Sequence, residues 1–379
     1  MKILYVLNNA LGHGGIESVV FNYYNYLSKE VKIEFALHST VEDYENNDMI
    51  DRLRDEGVIF YRVTPRGENL KKNHEDFKKL FEKGYDIVHV HADAAGADVL
   101  SVAKKCGVKY RIAHSHNTRF LVKADSIKNL VKVAFLTYSR YNIRRQATGY
   151  MACSKVAGEW LFGKKNISKT YILNNAIDTE KYAFSEEKRD KIRKELGLEN
   201  AFVIGHVGRF HFQKNHEFLF KTFKIILEKE PLAKLLLIGE GVLLEQMKQK
   251  AADDGIASSV IFYGDAGNVN EMLSAMDIFA FPSRFEGLSV ALIEAQANGL
   301  HCIVSDAPTV TKDSDLTGQI DWLDTDSPEK WADTILKRRS LRHTGSADRI
   351  AENGFELKVE AGKLLDYYKE VVKGKNGKN

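Results

Sequence analysis

Cysteine is scarce in this 379-residue chain, which has only Cys106, Cys153 and Cys302. Three scattered thiols provide neither a disulfide framework nor the paired spacing of a zinc site, which suits a reducing cytosol. Long apolar runs are lacking too. No stretch approaches the ~18 residues of a membrane-spanning helix. The opening run, Met1-Lys-Ile-Leu-Tyr-Val-Leu-Asn-Asn, breaks off before an h-region forms and reads as a short strand rather than a secretory signal. No one sign of charge dominates. Lys and Arg total 55, Asp and Glu 52, for a formal net charge of +3. That is far below the basic footprint of a dedicated nucleic-acid binder. Internal repeats and low-complexity tracts are missing as well, and the chain closes on a polar tail at 374–379. A cytoplasmic protein is expected.

What is present is the composition of a soluble globular protein, 44% hydrophobic and 28% charged. The length accommodates two or three domains with sizeable cores. Apolar strand-like runs alternate with helical patterns from end to end, the signature of parallel sheets covered on both faces. In the first half the runs predict strands at Lys2–Leu7, Ile33–His38, Ile59–Val63, Ile87–His91, Tyr110–His114, Tyr150–Cys153 and Tyr171–Leu173. In the second half strands are predicted at Val203–Val207, Lys234–Ile238, Val260–Tyr263, Ile278–Phe281, Cys302–Ser305 and Ile320–Leu323. Helices are predicted over Asn215–Leu227, Leu243–Ala252 and Lys330–Arg338, among others. A polar break between Asn174 and Gly197, including the charged helix Ser185–Lys194, separates two such series. The expected fold class is therefore α/β, with two doubly wound Rossmann-like domains facing an interdomain cleft where ligands bind.

The segment from Arg284 to Gly299, Arg-Phe-Glu-Gly-Leu-Ser-Val-Ala-Leu-Ile-Glu-Ala-Gln-Ala-Asn-Gly, carries the most chemistry. It follows the buried strand Ile278–Phe281 and reads as a short loop, with Glu286 and Gly287, before a helix from near Ser289 to Gly299. Glu294 lies in an apolar helix, where an unpartnered carboxylate costs several kcal/mol or is forced neutral. Eight residues at helical rise would put the two acids about 12 Å apart. A helix N-terminus between them would offer N–H groups to a diphosphate. The plainer alternative is a helix-capping acid and a core-edge acid paired with a lysine.

This pair resembles the E-x7-E signature of the family 4 glycosyltransferases, retaining enzymes of GT-B fold. The resemblance implies that Glu286 contacts hydroxyls of the donor sugar and Glu294 the ribose. Further motifs join it. Gly208-Arg209 with Lys214-Asn215 follows the strand Val203–Val207 and matches the family's G-R-x(4)-K-N string. An arginine fork and a lysine point charge before a helix suit a diphosphate. The first strand-to-helix loop, with Gly12, Gly14, Gly15 and Glu17, fails both the dinucleotide and the P-loop patterns. It resembles the family's G-G-x-E loop, which covers donor phosphates and shapes the acceptor side.

His89, His91, His114 and His116 alternate along two strands. On bare chemistry they allow a zinc site if those strands are neighbours, although no acid or cysteine completes the set. The resemblance instead implies that one histidine, best His114 with His116 as competitor, reaches the donor sugar. Strand ends near Gly239 to Gly241 and Gly264 to Ala266 resemble the family's base-binding loops. Asp265 stands where many relatives carry a basic residue. Asp324-Thr-Asp326 imitates the metal-binding D-x-D of another fold, but Ser327 as cap and Pro328 in the first turn read it as a helix start. Residues 119–145 hold seven cations against Asp125, interleaved with apolar residues. That is either a membrane-surface helix or a solvated face over the domain core.

The resemblance covers nearly the whole chain. Asn174-Asn-Ala-Ile-Asp-Thr-Glu-Lys-Tyr is similar to the family's interdomain segment, with Asn174 replacing a proline. Ser305-Asp-Ala-Pro-Thr-Val-Thr replaces the usual Gly-Gly-x-x-E string, as in the subgroup making bacterial exopolysaccharide and capsule. The implied domains are 1–176 with a returning C-terminal helix, 356–373, on the acceptor side, and 177–355 for the nucleotide-sugar. The implied activity is retaining, metal-independent transfer of a hexose or N-acetylhexosamine, with no cofactor. The donor would be a nucleotide-sugar, expected to be a UDP-sugar. The acceptor would be a glycan or polyprenyl-diphosphate-linked sugar, met by Gly14, Glu17 and His116. Donor contacts would come from Gly15, Gly208, Arg209, Lys214, Gly239, Gly264, Glu286, Gly287, Leu288, Ser289 and Glu294. The rivals are a nucleotide-sugar epimerase of the same fold and a non-catalytic partner subunit.

Overall fold

Every strand-like run in the sequence becomes a strand in the computed structural model, which describes residues 1–8, 11–12, 14–120, 126–264, 267–339 and 341–374. The chain divides into two units, Met1–Asn174 with Lys358–Asn379, and Asn175–Leu357. The first holds β1 (Lys2–Leu7), β2 (Lys32–His38), β3 (Ile59–Val63), β4 (Ile87–His91), β5 (Tyr110–Ser115), β6 (Gly149–Ala152) and β7 (Thr170–Ile172). The second holds β8 (Val203–Val207), β9 (Lys234–Ile238), β10 (Val260–Gly264), β11 (Ile278–Phe281), β12 (His301–Ser305) and β13 (Ile320–Leu323). Both sheets are parallel, ordered β3-β2-β1-β4-β5-β6-β7 and β10-β9-β8-β11-β12-β13. Such strands are covered on both faces, which is why β1 is buried at each position after Lys2 and reads as a continuous apolar run. Each order reverses beside the unit's first strand, between β1 and β4 and between β8 and β11. Doubly wound sheets bind ligands beyond the carboxyl ends of the strands at that point.

The helices follow their apolar periodicity. His216–Lys229 buries Leu219, Phe223 and Ile226 at helical spacing, and Phe218 meets Trp331 of the helix Pro328–Arg338 edge-on at 5.3 Å. Burying side chains of this size stabilises by about 1.5–3 kcal/mol each. Ser327 caps the second of these helices, its Oγ accepting from the Lys330 N–H at 3.2 Å, and Pro328 opens the first turn. Asp324 and Asp326 are exposed beside that cap.

Some boundaries moved. Strand β6 begins at Gly149, one residue before the apolar run. A Cβ there would sit 2.8 Å from the Tyr367 hydroxyl, so glycine lets the last helix approach the sheet. That helix is regular only over Leu357–Val372. It is preceded by a wide turn, Ala351–Phe355, in which Gly354 takes φ 84°, a left-handed conformation that keeps the regular spiral from starting before Leu357, one residue past the expected 356. The first unit gives way to the second at Asn175, whose Nδ2 donates to the Leu288 carbonyl at 2.6 Å. Among the described residues no helix is long and apolar enough to cross a membrane.

Candidate active site

In the second unit, three loops at the carboxyl ends of β8, β9 and β10 are laced together by their backbones. The Gly208 N–H donates to the Ile238 carbonyl at 2.9 Å, Gly239 to Gly264 at 2.7 Å, and Phe210 to Glu240 at 2.7 Å. Glycine is required where the strands crowd. Gly239 has φ 137° and a Cβ there would lie 2.4 Å from the Gly208 carbonyl oxygen. A Cβ on Gly208 would meet Lys214 Cε at 2.9 Å, so its absence lets the lysine chain pass over the end of β8. The base-binding loop suggested by the sequence continues into Asp265 and Ala266, which lie outside the described residues.

The reversal point between β8 and β11 brings the two strongest motifs together. Lys214 Nζ lies 2.8 Å from Glu286 Oε1. Both side chains are nearly buried, and the ammonium also sits 4.5 Å above the Phe281 ring. The loops that carry them are tied crosswise. The Arg284 N–H donates to the Gln213 carbonyl at 2.8 Å and its guanidinium to Asn215 Oδ1 at 2.6 Å, while Gln213 Nε2 donates to the Phe285 carbonyl at 2.9 Å. Asn215 adopts φ 57°, which asparagine tolerates better than most residues, and this turns the chain into the helix His216–Lys229. The Glu286 N–H donates to the Thr309 carbonyl at 2.9 Å, so the segment after β12 braces the Glu286 loop. Arg209 is exposed on the same β8 loop and makes no ion pair among the described residues. Arg284 and Thr309 escaped the sequence reading, since neither bond is visible from spacing.

Gly287, Leu288 and Ser289 are buried and lead into the helix Val290–Ala297. This helix begins four residues after Glu286, so helical rise does not apply across the whole interval between the two acids. Its N-cap, Ser289, makes no side-chain capping bond, so that side chain satisfies none of the first-turn N–H groups. Glu294, one turn in, is buried. Its partner is the hydroxyl of Tyr182, with the Lys181 charge nearby, rather than a lysine ion pair. Burial pushes the Glu294 carboxyl up to about 7, and the Tyr182 bond and Lys181 offset only part of that. The sequence held a signal for this partner in the segment starting at Asn174, where an aromatic position carries a hydroxyl.

In the first unit, Gly14 caps the helix Gly15–Leu27 without a side-chain bond, and half-buried Glu17 lies in its first turn. Among the described residues a Cβ on Gly12 or Gly15 would meet nothing within 4 Å, so packing against them does not demand glycine there. His13 lies outside the described residues.

Strands β4 and β5 are neighbours, and their histidines form one buried stack. His89 Nε2 and His114 Nδ1 are 3.2 Å apart, His91 Nδ1 and His116 Nε2 3.0 Å apart, and the His114 and His116 rings stack with centroids 4.0 Å apart. Tyr368 of the last helix meets His89 Nδ1 at 2.6 Å and Tyr5 at 2.8 Å through its hydroxyl. His114 lies within β5. His116 lies just past the end of that strand, its N–H donating to Asp93 Oδ1 at 2.7 Å. His89, His91 and His114 each offer a nitrogen within 4.8 Å of the others, a spacing that could hold a metal ion. His89 Nδ1 already meets the Tyr368 hydroxyl, and the other nitrogens pair with one another, apart from Nε2 of His91 and of His114, which have no partner among the described residues. The set contains no acid to offset the charge of a cation.

Burial first, and neighbouring imidazoles second, hold His89, His91 and His114 well below the usual histidine range, and burial takes His116 down to about 3. All four are therefore neutral in the folded protein near pH 7. The unfolded chain binds protons at about 6.5, so this stability is fully present above that value and is lost as pH falls toward the folded values. Near-ultraviolet circular dichroism followed down a pH series should show acid loss of the first unit's packing. His116→Gln should move the midpoint to lower pH, and an unchanged midpoint would argue against the stack as the acid-sensitive element.

Comparison with known proteins follows the same division. Residues 13–181 match the family model described as Glycosyltransferase Family 4, and residues 188–356 the model described as Glycosyl transferases group 1. The chain is 30% identical to the putative glycosyltransferase EpsF of Bacillus subtilis (strain 168), over 97% of this chain and 96% of that one. It is also 30% identical to the UDP-Gal:alpha-D-GlcNAc-diphosphoundecaprenol alpha-1,3-galactosyltransferase of Escherichia coli, over 60% of each chain. The capsular polysaccharide biosynthesis glycosyltransferase CapH of Staphylococcus aureus is 24% identical over 97% of this chain and 98% of its own. Among solved structures, Anabaena HepE in complex with UDP-glucose aligns with a TM-score of 0.78 at 18% identity. The alignment covers 98% of this chain and 100% of that one. At that identity the likeness is one of fold.

Proposed function

The chain belongs to the family 4 glycosyltransferases and has their GT-B fold, and on that premise we propose that it is a retaining, metal-independent hexosyltransferase of polysaccharide biosynthesis. Its donor is a UDP-sugar carrying a hexose or N-acetylhexosamine, and its acceptor a glycan or a sugar on a polyprenyl diphosphate. Two relatives support these choices by name, one acting on a diphosphoundecaprenol-linked sugar and one in capsular polysaccharide biosynthesis. The carrying observation is the 2.8 Å approach of Lys214 to Glu286 beside an uncapped helix N-terminus.

In this reading Lys214 and Arg209 hold the diphosphate, supported by the glycine loops at Gly208, Gly239 and Gly264, and the N–H groups near Leu288 and Ser289 join Glu286 on the sugar. Glu286 takes sugar hydroxyls and Glu294 the ribose. Gly15 meets the donor phosphates, and His114 or His116 the sugar, with His116 favoured by its place beyond the strand end. Gly14 and Glu17 belong to the acceptor side. The bond from the anomeric carbon to the β-phosphate oxygen breaks as negative charge gathers on the departing UDP, which the fixed cations stabilise. The acceptor oxygen bonds to that carbon on the face just vacated, and its proton passes to a β-phosphate oxygen. No carboxylate is assigned as a nucleophile, so no covalent intermediate is invoked. The protein works on the cytoplasmic side of the membrane.

Purified protein, a UDP-sugar panel and a polyprenyl-diphosphate acceptor provide the test. Transfer should persist in EDTA, and the product should keep the donor's anomeric configuration by proton NMR. Loss of turnover in EDTA would remove metal independence. Interconversion of nucleotide-sugars without acceptor would indicate an epimerase, and no transfer unless a second protein is added would indicate a partner subunit.

A further inference from the structure

The first unit contains an exposed apolar stripe that its own packing leaves uncovered. The helix Ile127–Gln146 presents Ile127, Leu130, Val131, Phe135, Tyr138 and Tyr141 to solvent, each between 49% and 83% exposed. At 3.6 residues per turn these six fall within an arc of about 140°. The opposite side seats the helix, with Ser139 and Ile143 buried and Ile143 part of the first unit's core. Single exposed apolar residues are ordinary, but a contiguous stripe of six marks an interaction surface.

Charge identifies the occupant. The helix contains Lys128, Lys132, Arg140, Arg144 and Arg145 and no acid. Lys132 and Arg145 are exposed, and Lys104 extends the cationic edge by donating to the Arg145 carbonyl at 3.3 Å. Lys105, Lys164 and Lys165 are exposed on the adjoining segments. Arg140 lies 6.0 Å over the Trp160 ring, and Arg144 donates to the Phe162 carbonyl at 3.4 Å, so these two fasten the helix to the unit. The adjacent helix Lys155–Phe162 holds Glu159 as its one acid. A second copy of this chain would bring like charges together across the stripe, which opposes self-association through this face.

We propose that the helix Ile127–Gln146 lies in the surface of an anionic lipid bilayer, its stripe among the acyl-chain ends and its cations at the headgroups. The proposal rests on the reading of a lipid-linked acceptor only for its purpose. Docking there would hold the first unit at the membrane that carries such an acceptor. Lipid binding itself is measured without donor or acceptor, so its failure and a failure of that reading are distinguishable.

The test is co-sedimentation of the full chain with vesicles of phosphatidylcholine alone or mixed equally with phosphatidylglycerol. Binding should require the anionic lipid and weaken with added salt. Lys132→Glu with Arg145→Glu removes two attractive charges, each worth about a fivefold factor, and should weaken binding by about thirtyfold or more. Val131→Asp with Phe135→Asp should abolish binding, and both variants should keep full turnover on a water-soluble acceptor. Equal binding to both vesicle types, or unchanged binding in the charge variant, would overturn the proposal. So would a dimer in sedimentation analysis that Val131→Asp dissolves.

Discussion

Lys214→Ala should lower kcat/KM for sugar transfer by about two to three orders of magnitude, the usual effect of removing one fixed group that stabilises developing negative charge. The ammonium sits where β8 and β11 diverge, 2.8 Å from Glu286 and screened from water by Phe281 and the glycine loops. Its removal also takes the Lys214 ion pair from Glu286 in a nearly buried place, which destabilises folding. Two effects are thus combined in one variant, and a double variant separates them. Lys214→Ala with Glu286→Gln removes the carboxylate charge as well, so thermal unfolding should recover toward the parent while transfer stays low. The rate is checked by UDP release in the presence of acceptor. A correctly folded Lys214→Ala protein turning over at a near-parental rate would contradict the placement of the diphosphate.

Glu294→Gln should produce opposite changes in stability and in donor affinity. The buried carboxyl titrates at about 7 in the folded chain against an ordinary value near 4.5. The folded state therefore holds its proton more tightly than the unfolded chain. Stability from this group is fully present below about 4.5 and is lost as pH rises through about 7, a difference of about 3 kcal/mol by pH 8. The neutral amide has no such dependence. The variant should match the parent near pH 4 and unfold at a higher temperature near pH 8. If the carboxylate accepts ribose hydroxyls, the same change should raise the donor KM by about ten- to a hundredfold, the worth of a hydrogen bond to a charged group. Scanning calorimetry over pH and initial rates over donor concentration check the two halves independently. A parent whose stability does not fall between these pH values would refute the burial argument, while an unchanged donor KM would refute the ribose assignment.

Much of the fold could be read along the chain because parallel strands buried on both faces are continuous apolar runs, as β1 and β9 illustrate. The motif loops were also legible, since phosphate-binding turns call for glycine and cations at short spacing. Partnerships between distant segments were not. The order of residues offers a hydroxyl on the aromatic at Tyr182 but not its meeting with Glu294, and nothing in it announces that Arg284 holds Asn215 or that Thr309 carries the Glu286 loop. The four histidines were conspicuous, but whether they could gather depended on β4 lying beside β5. The basic segment was open between a core face and a free surface because its apolar and charged residues interleave. Only the seating of Ile143 in the core decided which side faces water, and residues 121–125 of that segment lie outside the described ones.

The sequence by itself determined the alternation of strand and helix, the two-part plan and the identities of the glycines, acids and cations at the strand ends. These depend on backbone preference and local burial, which act over a few residues. Tertiary structure alone decided which polar atom answers which, how far the Glu294 carboxyl is driven from its ordinary titration, and which helix face remains bare. Those depend on strand order and on distances of a few ångströms between residues far apart in the chain. Electrostatic and packing energies change steeply over such distances, and linear spacing does not encode them.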